Sequence, residues 1–155
     1  MTKIDFYITD AKTPAELYSF ACRLTEKAYR QKHAIYLHTD SEQTMQAVDD
    51  LLWSFRPNSF LPHTSEKNGS EQNSGDSGES KTDEDAPKEI LVACSGNPGA
   101  HHDVLINLTE QTPEFFSRFT RVAEVVSGDE AAKEKSRQRF KFYRDRGYPL
   151  DVHNL

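Results

Sequence analysis

Five residues near the end of the chain, Lys133, Arg137, Phe140, Lys141 and Arg144, have the types and the spacing to hold an anion. At about 100° per residue they fall within a helical sector of about 100°. A guanidinium there offers a planar fork that meets a carboxylate with two hydrogen bonds, and neighbouring ammonium groups attract further acids. Phe140, at the edge of the stripe, adds an apolar floor. This chemistry suits an acidic peptide that ends in a hydrophobic residue with a free carboxylate. Arg137 would clamp the carboxylate, Phe140 would hold the terminal side chain, and Lys133, Lys141 and Arg144 would draw in the upstream acids. The bland alternative is a solvated helix face with Phe140 in the core. The stripe lies in a basic island: between positions 129 and 146, seven Lys and Arg stand against four acids, in a chain of net charge -6. Such a local reversal of sign marks a surface for an anionic partner. Direct nucleic-acid binding through the same helix is the competing reading, although a single aromatic within the stripe gives little to stack bases on.

Catalytic groupings are thin by comparison. His101-His102-Asp103 has no supporting metal-ligand spacing, and its histidines read as solvent-exposed loop residues. His38 after a strand and His63 after Pro62 read as satisfied structural residues. No serine sits in a nucleophile-elbow sequence. The turn after the first strand, Thr9-Asp10-Ala11-Lys12-Thr13, lacks the glycines that let a backbone approach a pyrophosphate, and no GxxxxGK[ST] loop exists. Ser95-Gly96-Asn97-Pro98-Gly99 reads as a plain turn. No cofactor or metal is expected, and an enzyme using a β-α-β crevice remains only as a competitor that nucleotide thermal-shift screening would expose.

A second candidate binding surface surrounds the single tryptophan. Met45, Val48, Leu52 and Phe55 define a buried helical stripe, and Trp53 sits about 110° from its centre. The spacing therefore predicts a partly exposed Trp53 near a helix end, with Phe60 seven residues later. Exposed aromatics of this kind anchor interfaces, the alternative being a Trp53 that covers the end of its own core.

The elements that must position these residues alternate along the chain. Ile4–Ile8 predicts a strand. Thr13, Pro14 and Glu16 then open a helix by capping, proline at the first position and a capping box, and Leu17, Phe20, Ala21, Leu24 and Ala28 recur along it. Ala34–Leu37 predicts a second strand, and Asp40 with Gln43 a second helix start. Ser59–Pro62 reads as a short edge strand, Ile90–Cys94 and Val104–Leu108 as buried strands, and Thr112-Pro113 as the start of a short helix. Val122–Val126 reads as the final strand. Ser127 with Glu130 starts the last helix, and Gly147 before Pro149 ends it. Alternation of this kind predicts a single α/β domain with a largely parallel or mixed central sheet and helices on both faces, Rossmann-like but without the glycine fingerprint.

At 155 residues the chain has room for one such domain. Residues 64–88 interrupt it: they contain no Ile, Leu, Val, Met or aromatic residue and carry seven acids against three lysines. A segment that cannot bury apolar area is expected to be a mobile loop, and its charge would let it compete for the basic stripe. Cys22 and Cys94 have no ligand spacing and read as free thiols of a cytoplasmic protein. No signal-peptide pattern opens the chain and no apolar run approaches a membrane span, so no membrane partner is expected.

Phe6-Tyr7, Leu52-Trp53 followed by Ser59-Phe60-Leu61-Pro62-His63, and Arg137-x-Arg139-Phe140-Lys141-x-Tyr143-Arg144 followed by Gly147-Tyr148 resemble the chi subunit family of bacterial DNA polymerase III, a clamp-loader accessory subunit. The resemblance covers most of the chain and fails mainly across 64–88. It implies a non-catalytic adaptor for DNA replication that needs no cofactor. Such an adaptor pairs with the psi subunit through one face and grips the acidic C-terminal tail of single-stranded DNA-binding protein with another. By matching positions, Trp53 and Phe60 fall to the psi side. Arg137, Phe140 and Lys141, with Lys133 and Val126 nearby, fall to the tail site. An accessory helicase is a further candidate partner, and contact with nucleic acid would be mainly indirect. Position 140 carries Phe where family members can carry Tyr, which removes a hydroxyl but leaves stacking.

Overall fold

The computed structural model describes residues 1–55, 62–65 and 89–155. Seven strands, β1 (Lys3–Ile8), β2 (Ile35–His38), β3 (Thr64–Ser65), β4 (Ile90–Ala93), β5 (Val104–Asn107), β6 (Arg121–Val126) and β7 (Leu150–Asn154), form one sheet in the order β3-β4-β2-β5-β6-β1-β7. Every pairing is parallel. Helix α1 (Pro14–Arg30), helix α2 (Glu42–Ser54), a 3-10 turn (Phe116–Arg118) and helix α3 (Glu130–Asp145) connect them. This is the α/β layering that the alternation of elements predicts. An all-parallel sheet is covered on both faces, which is why β4 and β5 read as continuous apolar runs.

Each strand divides its side chains between two cores. Ile35 and Leu37 of β2, with Val104 and Ile106 of β5, meet Ala21 and Cys22 of α1 and Met45, Val48 and Leu52 of α2. Tyr36, Leu105, Val122, Val126, Ile4 and Phe6 face the other way, against Ala132 and Tyr143 of α3 and against Phe116 and Phe119. Leu105 and Val122 have no exposed surface. Burial of one such side chain stabilises by about 1.5–3 kcal/mol.

The helix starts differ in detail from expectation. Thr13 caps α1 by accepting from Glu16 N–H (3.2 Å), while Glu16 reaches back to Lys12 N–H (2.7 Å). On α2 the cap is Ser41, which accepts from Thr44 N–H at 3.1 Å, one residue later than Asp40. On α3 it is Asp129, accepting from Ala132 N–H at 3.2 Å, and Ser127 instead accepts from Asp129 N–H at 3.4 Å. Gly147, at φ +83°, ends α3 in the left-handed conformation that favours glycine.

Two differences concern strands. β6 is not the final strand: the chain turns at Gly147 and runs back as β7, so that β1 lies between β6 and β7. His153 Nε2 lies 3.2 Å from Asp5 Oδ1, and Lys3 Nζ lies 2.7 Å from Asp151 Oδ2. The hydrogen bond with Asp151 holds the Lys3 ammonium above its ordinary pKa and the Asp151 carboxyl below its own. At the opposite edge Thr64–Ser65 pairs with β4, so these two residues of the expected 64–88 loop are a strand. The remainder of that loop, and Ser59 to Leu61 of the expected edge strand, lie outside the described residues.

Candidate functional site

The β5–β6 region and α3 are locked together by a buried polar cluster. Glu124 of β6 has no exposed surface; its Oε1 accepts from Asn107 Nδ2 (2.9 Å) and Arg139 Nε (3.1 Å), and its Oε2 accepts from Tyr143 Oη–H at 2.6 Å. Arg139 Nη1 also donates to the Glu110 carbonyl at 2.9 Å. Burial pushes the Glu124 carboxyl above the usual carboxylate range, opposed by the Arg139 guanidinium and the hydrogen bonds it accepts. Arg139 is therefore a structural member of the basic island. Lys135, with its Nζ 2.8 Å from Glu110 Oε1, is also engaged on that flank of the helix.

The opposite flank carries the stripe. Arg137, Lys141 and Arg144 are exposed and Lys133 is half-buried. Their attachments are light: Arg137 Nη1 lies 2.7 Å from Glu134 Oε2, both side chains 63% exposed, and Arg144 Nε lies 3.6 Å from Asp145 Oδ1. Surface pairs of this geometry contribute about 0–1 kcal/mol, so an incoming carboxylate meets little resistance from them. Phe140 is half-buried, with its ring centroid 5.6 Å from that of Phe6 on β1, and is neither fully core nor fully solvent. Val126 is buried in the same apolar layer.

Two residues of this flank went unread in the sequence because β7 was not expected. Leu150 and Val152 are in register with Ile4 and Phe6, so they lie on the α3 face of the sheet, and Val152 is 47% exposed. The alternation Leu150-Asp151-Val152-His153 after a Gly-Tyr-Pro turn was the available signal.

Trp53 stands in the last turn of α2 and is 52% exposed. Its ring lies 4.3 Å from that of His63. The His63 side chain is fully buried, and its Nε2 sits 3.1 Å from Asp49 Oδ1 and 3.2 Å from the Asp49 carbonyl. Both are acceptors, so Nε2 carries the proton, and the ring is held against the indole at a tilt of 47°. Burial pushes the Asp49 carboxyl up while His63 draws it down. Phe60, the second residue assigned to this surface, lies outside the described residues. The Arg137 stripe and Trp53 are on opposite layers: α3 covers one face of the sheet and α2 the other.

His102 is exposed, as its loop suggests, whereas His101 and His38 take structural positions. His101 is not solvent-exposed as its loop suggests: its side chain is 8% exposed, Nε2 is 2.8 Å from Glu89 Oε2, and its ring meets Tyr36 edge-on at 5.8 Å. His38 packs edge-on against Phe115 at 5.1 Å. An open crevice of about 970 Å³ lies beyond the carboxyl ends of β4, β2 and β5, lined by His38, Cys94, Glu110, Glu114 and Lys135 among others. Its cations are Lys135 and Arg139, each already paired. Among the described residues no group of three or more His, Cys, Asp or Glu is placed to hold a metal, and no helix is long and apolar enough to cross a membrane.

Residues 1–151 match the family model described as DNA polymerase III chi subunit, HolC. Among curated proteins, DNA polymerase III subunit chi of Pseudomonas aeruginosa is 39% identical over 155 residues, covering 100% of this chain and 98% of the relative. The subunit chi of Haemophilus influenzae is 30% identical over 97% of this chain and 95% of its own length. That of Escherichia coli is 24% identical over 98% and 97%.

Proposed function

The chain belongs to the DNA polymerase III chi subunit family, and from that premise we propose that it is a non-catalytic adaptor of the polymerase holoenzyme in DNA replication. One face takes the acidic C-terminal tail of single-stranded DNA-binding protein, and another, around Trp53, takes the psi subunit of the clamp loader. The observation that carries the reading is the α3 flank: exposed Arg137, Lys141 and Arg144 with half-buried Lys133 surround a half-buried Phe140. A fork, a point-charge field and an apolar floor are what an acidic peptide with a hydrophobic terminal residue requires.

A single tail binds weakly in such a site, because exposed charges contribute little each and salt screens them. Several tails on one oligomeric binding protein then hold the polymerase near single-stranded DNA through effective concentration. The test is a titration of a fluorescent peptide copied from the tail with wild-type protein and Arg137→Ala. Salt-sensitive binding that is lost in the variant supports the reading. Equal binding by both proteins, or none at low salt with folding intact, sinks it. Tighter, equally salt-sensitive binding of single-stranded oligonucleotides in parallel would favour the direct nucleic-acid alternative.

A further inference from the structure

The sheet ends at β7, and β7 carries main-chain groups that nothing among the described residues uses. Ile4 N–H donates to the Pro149 carbonyl (2.9 Å) and Leu155 N–H to the Ile8 carbonyl (3.0 Å). With the register running from Ile4↔Leu150 to Ile8↔Asn154, the groups of Asp151 and His153 turn towards β1. Those of Leu150, Val152 and Asn154 turn outwards, a row about 13 Å long at 3.3 Å per residue.

Sheet edges left in this state are templates for another chain and are usually blunted by lysine, proline or a bulge. β7 (LDVHN) contains neither lysine nor proline, and its register with β1 is unbroken. Its one acid, Asp151, is already matched by Lys3 at 2.7 Å. Among the described residues nothing therefore repels or caps the edge.

Its surroundings say what would pair with it. Leu150, Val152 and Asn154 share the α3 face of the sheet, with Val152 47% exposed and Leu155, just beyond, 62% exposed. The α3 flank turned to this edge is the cationic one. Phe140 reaches Phe6 of β1, whereas Lys135 and Arg139 on the other flank reach Glu110 beyond β5. An extended chain lying along β7 would thus have open backbone donors and acceptors on one side and Arg137, Lys141 and Arg144 above it.

We propose that the acidic peptide binds by strand addition to the open edge of β7, as an eighth strand, with its carboxylates directed to the α3 stripe. This rests on the tail-binding reading above and adds the binding mode: main-chain pairing supplies attachment, and the stripe selects for acid.

The test is residue-resolved amide exchange by NMR on the full chain, with and without a saturating synthetic tail peptide. Exchange at Val152 and Asn154 should slow at least tenfold on binding, while the β1-paired amides of Asp151 and His153 change little. Resonance shifts at Arg137 and Phe140 with unchanged exchange at Val152 and Asn154 would overturn the strand mode and leave the tail site on α3. Absence of any shift would remove the tail reading and this inference with it. Two variants add an independent check. Val152→Pro removes an outward N–H and leaves the β1-paired amides in place, so it should weaken binding at least tenfold, read beside Val152→Ala to separate loss of the side chain. Peptides N-methylated at successive positions should lose affinity with a period of two, and uniform tolerance would also overturn the proposal.

Discussion

Arg139 and Glu124 face each other at 3.1 Å with 6% and 0% of their side chains exposed, an ion pair sealed on both sides. Cutting one partner leaves an unmatched charge in the interior, so Arg139→Ala should destabilise by about 3–5 kcal/mol. The pH dependence follows from burial, which raises the Glu124 carboxyl. A carboxyl raised on folding contributes stability that is fully present below its unfolded pKa and fades as pH rises through the folded value. Removing Arg139 raises it further, so the deficit of the variant should be largest at neutral pH and shrink towards pH 4–5, as read by urea unfolding at both pH values.

Arg137→Ala should behave in the opposite manner. Its side chain is 63% exposed and bonded only to Glu134, so stability should change by less than about 0.5 kcal/mol. Where the bound carboxylate desolvates the Arg137 fork, binding of an acidic tail peptide should weaken by about 2 kcal/mol, and Arg137→Lys should restore only part of it, because an ammonium keeps the charge without the fork. Isothermal titration beside thermal melts separates the two effects. Full rescue by lysine would reduce the site to a general positive field.

How far these roles were legible in the sequence differs by residue. The angular position of Arg137 on a helix, and of Trp53 off the buried stripe of α2, follows from helical geometry alone, and both side chains are exposed as that geometry requires. The buried role of Arg139 was not legible: its partners Asn107, Glu110 and Glu124 arrive from β5 and β6, and only tertiary packing brings them together. β7 was missed because five residues after a helix stop carry little periodic signal, and what fixes them is pairing with β1 at the far end of the chain. The caps shifted by one or two residues because Asp40, Ser41, Ser127 and Asp129 are all competent N-caps, and packing of the helices chooses among them.

Trp53 is the single tryptophan and is 52% exposed, so its emission reports directly on this face. Addition of a psi-type partner should shift the emission to shorter wavelength. Trp53→Ala should abolish capture of that partner while costing about 1 kcal/mol of stability or less, since the ring lies over His63 and not in the core. An unshifted spectrum at saturating partner would place that interface elsewhere.

The two cysteines should separate by reactivity. Cys22 has no exposed surface, and burial pushes its thiol up to about 12, whereas Cys94 is half-buried at the end of β4. A thiolate-directed reagent at pH 8 should label one thiol per native chain and two after denaturation. Rapid modification of Cys22 in the native protein would mean that α1 opens away from the sheet.

The position of β1 between β6 and β7 also sets a timetable for synthesis. The first strand to leave the ribosome pairs only with strands built from residues 121–126 and 150–154. At about 5–20 residues per second, roughly 7–30 s pass before both neighbours exist. Until residue 126 has been made, Ile4 and Phe6 have no strand to join, and only the last strand completes their second side. A nascent chain of this design depends on whatever shields its beginning until β6 has been made.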